Sequence, residues 1–357
     1  GSITIVKTVV VQVPAGDWAF TGDLGAFTIP AAGGNKSFTD LGAGRYTITE
    51  TAVPDYTQSV VCNSGETGTD GVAVDLQPSE AVTCTFTNTY VPPPVAGVFL
   101  STTAAGTTRD GLAFGSEDII RWDGNAWSIW FDGSAAGLEP KKAKHNINAF
   151  WISAPEEDEF IFSFAQNRRT VPGISNPVDG MDLVKWNGRA FSLYFDGSDV
   201  FLTVKTSEKI DGIHILDGSR SPINGGNCAA YLLISTQGPG KVPNYSGGQI
   251  KFGGEDVLGF CATSLGETTT GLWHMVLDGS AEGMPRNSTD SISLSDDGRT
   301  LYLTTQGTFR ADSANGGHSM IYAFDFASRQ FRGPLFSAVD YGVAVKVNGL
   351  QVDGDLP

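Results

Sequence analysis

Charge is scarce in this sequence and lopsided where it occurs. Asp, Glu, Lys and Arg make up only 17% of the 357 residues, and the net charge is −16. So few basic residues argue against nucleic acid, whose phosphates are met by clustered Lys and Arg, and against docking on anionic lipid. No apolar run approaches the roughly 20 residues of a membrane-spanning helix. Several enzyme signatures are missing as well. There is no Gly-x-Ser-x-Gly and no Gly-x-Gly-x-x-Gly, no His-x-x-x-His, and no Cys-x-x-Cys. His145, His214, His274 and His318 stand apart, and each reads as packing or surface rather than as a catalyst. Neither an export signal nor an anchor is present, so the expectation is a mature form or a fragment of a longer protein.

What is abundant is glycine, at 45, and aromatics, at 37. Together with few charges they suit many short strands joined by tight turns. They exclude a helical bundle and a disordered chain. The length allows two or three domains. The clearest punctuation is Val91-Pro92-Pro93-Pro94-Val95, a stiff extended connector. The expected division is a β-domain over 1–90, a proline-rich linker over 91–97 and a second domain over 98–357. Both parts are acidic, with 3 Lys/Arg against 9 Asp/Glu in residues 1–90 and 20 against 30 in the remainder.

In the first domain, three strands alternate with period 2: Ile3/Ile5/Lys7, Tyr46/Ile48/Glu50 and Cys84/Phe86/Asn88. That period sends each triplet to one side of its strand. If the apolar members face the core, Lys7, Glu50 and Asn88 face it too, and buried charges need partners. Burial lowers a lysine pKa, and a neutral amine can attack the Asn88 carboxamide while Glu50 shuttles protons. The alternative is a Lys–Glu ion pair with Asn88 as a hydrogen-bond partner.

The opening Gly1-Ser2-Ile3-Thr4-Ile5-Val6-Lys7, the middle Gly44-Arg45-Tyr46-Thr47-Ile48-Thr49-Glu50-Thr51 and the closing Phe86-Thr87-Asn88-Thr89 resemble a prealbumin-like CnaB-type (SpaA-like) domain of bacterial surface proteins and pili. The resemblance covers nearly all of residues 1–90. It implies a prealbumin-like β-sandwich in which Lys7 is bonded to Asn88 and Glu50 assists. Such a bond is a single maturation step rather than turnover.

Cys62 and Cys84 fall in the first domain, Cys228 and Cys261 in the second. An even split favours one disulfide within each, and hence an exported protein. Sequons at Asn35, Asn244 and Asn287 matter only in a glycosylating host.

The second domain repeats itself. Trp127-Ser128-Ile129-Trp130-Phe131-Asp132-Gly133-Ser134 recurs from Phe191 and from Trp273, with a degenerate copy from Phe331. A strand precedes each copy, from Asp118, Asp182, Asp256 and Ser319. Two more strands complete the unit: one near Val98, Phe160, Leu232 and Leu301, the other near Asn148, Asp211, Asp290 and Tyr341–Val345. Four strands in four units describe a four-bladed β-propeller. A C-terminal strand around Gly342–Val347, placed beside Val98–Ser101, would close it and remove an open edge. The phrasing Ile210-Asp211-Gly212-Ile213, Gly254-Glu255-Asp256-Val257-Leu258 and Leu277-Asp278-Gly279-Ser280 is similar to repeats of secreted bacterial propeller-like proteins, which implies location more than activity.

Asn148, Asp211, Asp290 and Tyr341 would ring one end of the channel, an oxygen-rich place for an axial cation such as Ca²⁺. The alternative is that each caps a local turn. Glu117-Asp118, Asp182 and Glu255-Asp256 also repeat and read as strand-start hydrogen bonds. Trp122, Trp127, Trp130, Trp151 and Trp186 read as packing between blades, with exposed members able to stack on a glycan. The function expected is a non-enzymatic extracellular surface protein, a structural, adhesive or assembly module whose partners are other surface proteins, copies of itself or a glycan. The alternative is a glycan- or calcium-binding propeller, and after it a polysaccharide or ester hydrolase or lyase.

Overall fold

Alternating side chains decide the first of the two units into which the computed structural model divides, Gly1–Pro94 and Val95–Pro357. The structure describes residues 1–10, 16–53, 56–90, 97–139, 145–154, 158–203, 208–286, 289–354 and 356. The connector Val91–Val95 and the sequon at Asn287 lie outside the described residues.

The first unit holds β1 (Ser2–Val10), β2 (Trp18–Gly22), β3 (Phe27–Ile29), β4 (Gly34–Phe38), β5 (Gly44–Glu50), β6 (Tyr56–Cys62), β7 (Thr67–Gly68), β8 (Gly71–Leu76) and β9 (Ala81–Tyr90). They form two sheets, ordered β4-β1-β9-β6-β7 and β3-β2-β5-β8. One apolar core draws on both, including Ile3, Ile5, Trp18, Phe20, Ile48 and Phe86. The first and last strands, β1 and β9, lie side by side and parallel. Cys62 faces Cys84 across the β6–β9 ladder, and the two are disulfide-bonded.

The second unit is four four-stranded sheets in chain order. The first contains β10 (Val98–Thr102), a small hairpin β11 (Gly106–Thr107) and β12 (Ala113–Phe114), then β13 (Ile119–Trp122) and β14 (Trp127–Phe131). The second is β15 (Ile147–Ala154), β16 (Glu159–Phe164), β17 (Leu183–Asn187) and β18 (Phe191–Phe195). The third is β19 (Ile210–Leu216), β20 (Ala230–Thr236), a hairpin β21 (Gly240–Pro243) and β22 (Gln249–Phe252), then β23 (Val257–Ser264) and β24 (Thr270–Leu277). The fourth is β25 (Thr289–Leu294), β26 (Thr300–Thr305), a hairpin β27 (Phe309–Ala311) and β28 (Ala314–Gly316), then β29 (Met320–Asp325) and β30 (Gln330–Ser337). Last comes β31 (Val347–Val352), which pairs antiparallel with β10 and becomes the first sheet's fourth strand. Cys228, in the stretch before β20, is disulfide-bonded to Cys261 on β23.

The strand Ala230–Thr236 is buried at every position, which one-sided packing would not produce. Each sheet has an apolar neighbour on both faces. One cluster joins the first and second sheets through Phe99, Phe131, Phe160 and Phe162. Others join the second to the third, the third to the fourth, and the fourth back to the first through Tyr302, Ile321, Leu100 and Leu350. The leading strands touch in the same cycle, β15 with β19, β19 with β25, β25 with β31, and β31 with β15.

The closing strand differs from the sequence expectation. Tyr341–Val345 is not a strand; the pairing starts at Val347. Tyr341 instead stacks on Phe336, with ring centroids 4.4 Å apart, and packs on Trp122. Gly342 turns the chain at φ +93, a left-handed value suited to glycine. The true repeat of Ile210-Asp211-Gly212-Ile213 is Val347-Asn348-Gly349-Leu350.

Strand β31 covers the edge of β10, and a bare edge invites pairing with other chains. A chain ending at Lys346 is expected to elute as soluble aggregate in size-exclusion chromatography with light scattering. A monomer unfolding at the wild-type temperature would contradict this role.

Candidate functional site

Parity along β1, β5 and β9 carries three polar side chains into the core of the first unit. Lys7, Glu50 and Asn88 are 3%, 1% and 0% exposed. Lys7 Nζ lies 3.1 Å from Glu50 Oε1, donates a long 3.4 Å bond to the Phe86 carbonyl, and sits 4.3 Å from the centre of the Trp18 ring. Burial lowers the Lys7 pKa, against the opposing pull of Glu50. Burial raises the Glu50 pKa, against the pull of Lys7 and the hydrogen bonds of its neighbours Lys7, Gln58 and Asn88. Both shifts move the proton from amine to carboxyl and favour the neutral pair.

Asn88 lies beside Glu50, yet neither its Nδ2 nor its Oδ1 makes a hydrogen bond of full geometry. A wholly buried carboxamide in that condition is rare and asks for an explanation. Gln58 was not singled out in the sequence. It donates from Nε2 to Glu50 Oε2 at 3.1 Å and faces Asn88 directly across the β6–β9 ladder. The alternation Tyr56, Gln58, Val60, Cys62 carried the signal, since its other members are inward.

In the second unit, Asn148, Asp211 and Asp290 occupy one repeated place, and Asn348 rather than Tyr341 is the fourth. Each falls where the ladder register shifts by one residue, at the start of its leading strand. A β-bulge of this kind re-aims a side chain. The next position is always small: Ala149, Gly212, Ser291, Gly349. A Cβ on Gly212 would come within 2.9 Å of Ile292 N in the neighbouring leading strand, so small residues let the four strands approach.

The ring residues tie sheet to sheet. Asn148 Nδ2 donates to Ile210 O at 2.8 Å, and Asn348 Nδ2 to Ile147 O at 3.1 Å and Asn146 Oδ1 at 2.7 Å. Asp211 accepts from Ser235 Oγ of its own sheet at 2.8 Å and from Gln306 Nε2, just after β26 of the fourth sheet, at 3.4 Å, and Asp290 pairs with Lys346 at 3.0 Å. Burial, then the nearby Asp290, pushes the Asp211 pKa well above the usual carboxylate range. Among the described residues no group of three or more His, Cys, Asp and Glu gathers as metal ligands.

The other repeated carboxylates lock turns. Asp118 accepts from Gly115 N at 2.7 Å and Gly133 N at 2.9 Å. Asp256 does the same with Gly253 N and Gly279 N, and Asp182 with Asp179 N and Gly197 N. The glycine of each Asp-Gly-Ser copy is thus bonded to the aspartate that leads the strand before it. The tryptophans pack: Trp130 against Phe99 and Phe160, Trp186 against Phe131 and Phe191, Trp151 against His214, and Trp122 against Trp127. The Nδ1 of His214 accepts from Leu294 N, and burial lowers its pKa to about 4. His274 is held by Tyr231 Oη at 2.8 Å.

Another feature is asymmetric. A cavity of about 280 Å³ is lined by Asp199, Phe201, Asn244, Tyr245, Thr270 and Leu272 among others. Phe201 and Tyr245 are 66% and 52% exposed. Phe201 holds φ +77 as the left-handed residue that ends the short turn Gly197–Val200.

No family model and no curated protein matches the chain. Among solved structures, it is similar to the β-propeller domain of Cps50 (Swd1) from Myceliophteria thermophila at 10% identity, over 80% of this chain and 69% of that one, with TM-score 0.25. It is also similar to the extracellular domain of the one-component system protein BT4673 from B. thetaiotaomicron at 12% identity, over 72% of this chain and 36% of that one, with TM-score 0.30. Likenesses this distant carry no functional argument. No helix among the described residues is long and apolar enough to cross a membrane.

The turn locks make a pH prediction. Burial raises the Asp182 pKa from 3.8 to about 7. The fold therefore favours the protonated acid, and this contribution is complete below pH 3.8 and lost as pH rises through 7, a change on the order of a few kcal/mol. Urea unfolding is expected to show wild type losing more stability than Asp182→Asn between pH 4 and 8. Equal losses would contradict the assignment.

Proposed function

We propose that the first unit is a β-sandwich locked by an isopeptide bond between Lys7 and Asn88, and that the four sheets of the second are blades of a propeller closed by β31. The chain then serves as a non-enzymatic extracellular surface module of bacterial type, a locked stalk domain bearing a display or assembly head. The observation that carries this reading is the buried amine and carboxyl 3.1 Å apart, beside a carboxamide without a full hydrogen bond, on the first, fifth and last strands. Two disulfides agree with an oxidising compartment.

The chemistry balances within the triad. Neutral Lys7 Nζ attacks Asn88 Cγ. Glu50, holding the proton of the neutral pair, delivers it to Nδ2 and then takes one from the attacking nitrogen. The Cγ–Nδ2 bond breaks, ammonia leaves, and Glu50 is restored. Because β1 and β9 are parallel neighbours, the bond encloses residues 8–87 in a covalent loop. Closing a loop of this length is worth about 4–5 kcal/mol by chain entropy.

Lys7→Ala and Asn88→Ala are each expected to lower the unfolding temperature of the first unit by about 15 °C or more. Asn88→Ala keeps the Lys7–Glu50 contact, so its effect separates the lock from the Lys7–Glu50 attraction. Wild-type unfolding temperatures in both variants would refute the lock.

A second reading, a glycan-binding head, is favoured by the Phe201–Tyr245 cavity. Exposed aromatic faces beside Asp199, Asn244 and Thr270 suit a sugar ring, and no Lys or Arg lines the cavity to attract an anionic one. The four-membered ring is a weaker candidate for Ca²⁺, since Lys346 already neutralises Asp290. A neutral-glycan array is expected to give a hit that Tyr245→Ala abolishes; an empty array, or a hit that survives that change, would remove this reading.

A further inference from the structure

We infer that Gln58 is the positioning residue of isopeptide formation, holding Glu50 Oε2 so that Oε1 is the oxygen that exchanges protons with Lys7 and Asn88. The inference rests on the isopeptide reading and deepens it.

The two oxygens of Glu50 have different neighbours. Oε1 lies 3.1 Å from the Lys7 amine. Oε2 accepts the Gln58 Nε2–H at 3.1 Å. The same nitrogen donates a long 3.5 Å bond to the carbonyl of Thr51, the residue immediately after Glu50. One carboxamide therefore clamps two successive residues at the end of β5. An oxygen already accepting an N–H keeps its carbonyl character, so a proton on Glu50 is directed to Oε1. That is the side on which the proton of the attacking amine must be collected and the leaving amide protonated.

Place on the sheet supports the role. Gln58 is directly opposite Asn88 in register, on the inward face of β6 with Val60 and Cys62, and is only half-buried where the triad is wholly buried. It carries no charge and is only half-buried, so its replacement is expected to disturb the fold less than loss of a wholly buried triad member. Lys7, Gln58 and Asn88 are the groups that oppose the burial-driven rise of the Glu50 pKa. Removing the Gln58 donor leaves that rise less opposed, so Glu50 should hold its proton to higher pH.

The test uses the full chain, recovered unfolded and unreacted in denaturant and diluted into buffers of pH 5 to 9. Samples are quenched at intervals and weighed for loss of ammonia, about 17 Da. Wild type, Gln58→Ala and the similarly sized Gln58→Met are compared, with Cys62–Cys84 disulfide formation as the control for folding. Both variants are expected to react at least about tenfold more slowly, part of what acid–base catalysis supplies, with the rate profile moved to higher pH. Their fully reacted forms should unfold at the wild-type temperature. Wild-type rates and an unmoved profile in variants that still lose ammonia would overturn the role of Gln58 alone. A folded wild-type chain that keeps its full mass would overturn the isopeptide reading, and this inference with it.

Discussion

Removing the Lys7 amine and the Glu50 carboxyl from water is the constraint on which the first unit turns. Separately, each would be costly to bury in ionised form. Side by side on facing sheets at 3.1 Å, with Trp18 against the amine, each offsets part of the other's burial cost, while burial lowers the Lys7 pKa and raises that of Glu50. On the isopeptide reading we propose, the shift toward a neutral amine makes Lys7 the nucleophile. The feature that strains the stability account, two ionisable groups inside a small core, is on that reading also the source of the chemistry. The parallel pairing of β1 with β9 places Lys7 and Asn88 on adjacent strands from the two ends of the unit's sequence.

The second unit answers a different constraint. Its sheets carry apolar residues on both faces, and apolar clusters join the first to the second, the second to the third, the third to the fourth and the fourth to the first. Bulges at Asn148, Asp211, Asp290 and Asn348 turn polar groups toward the next leading strand, and small residues beside them permit the approach. Asparagine serves directly, donating to a neighbouring carbonyl. Aspartate serves as an acceptor, Asp211 for the Gln306 amide and Asp290 for the Lys346 ammonium. The repeated Asp118, Asp182 and Asp256 lock turns, whereas the cavity beside Phe201 and Tyr245 breaks the repeat.

Much of this was legible in the residues. Period 2 put Lys7, Glu50 and Asn88 inside, and the recurrence of Trp127–Ser134 marked four units of four strands. The even cysteine split anticipated both disulfides. The closing strand was displaced because Val343, Val345 and Val347 alternate as convincingly as a true strand, while the informative pair was Asn348-Gly349. Gln58 was overlooked because a lone glutamine amid Thr and Ser looks like a solvated face. Its role depends on where β5 ends, and that is set by pairing between distant strands rather than by local pattern. The cavity could not be read at all, since it joins residues near 199 to residues near 270.

The intact mass of the reduced, denatured wild-type chain tests the central claim most directly. A value about 17 Da below that of the sequence, the ammonia lost when an amine displaces a carboxamide, is the predicted result. It should return to the unmodified value in Glu50→Gln. A wild-type chain at full unmodified mass would contradict the account and leave Lys7, Glu50 and Asn88 as a buried polar network.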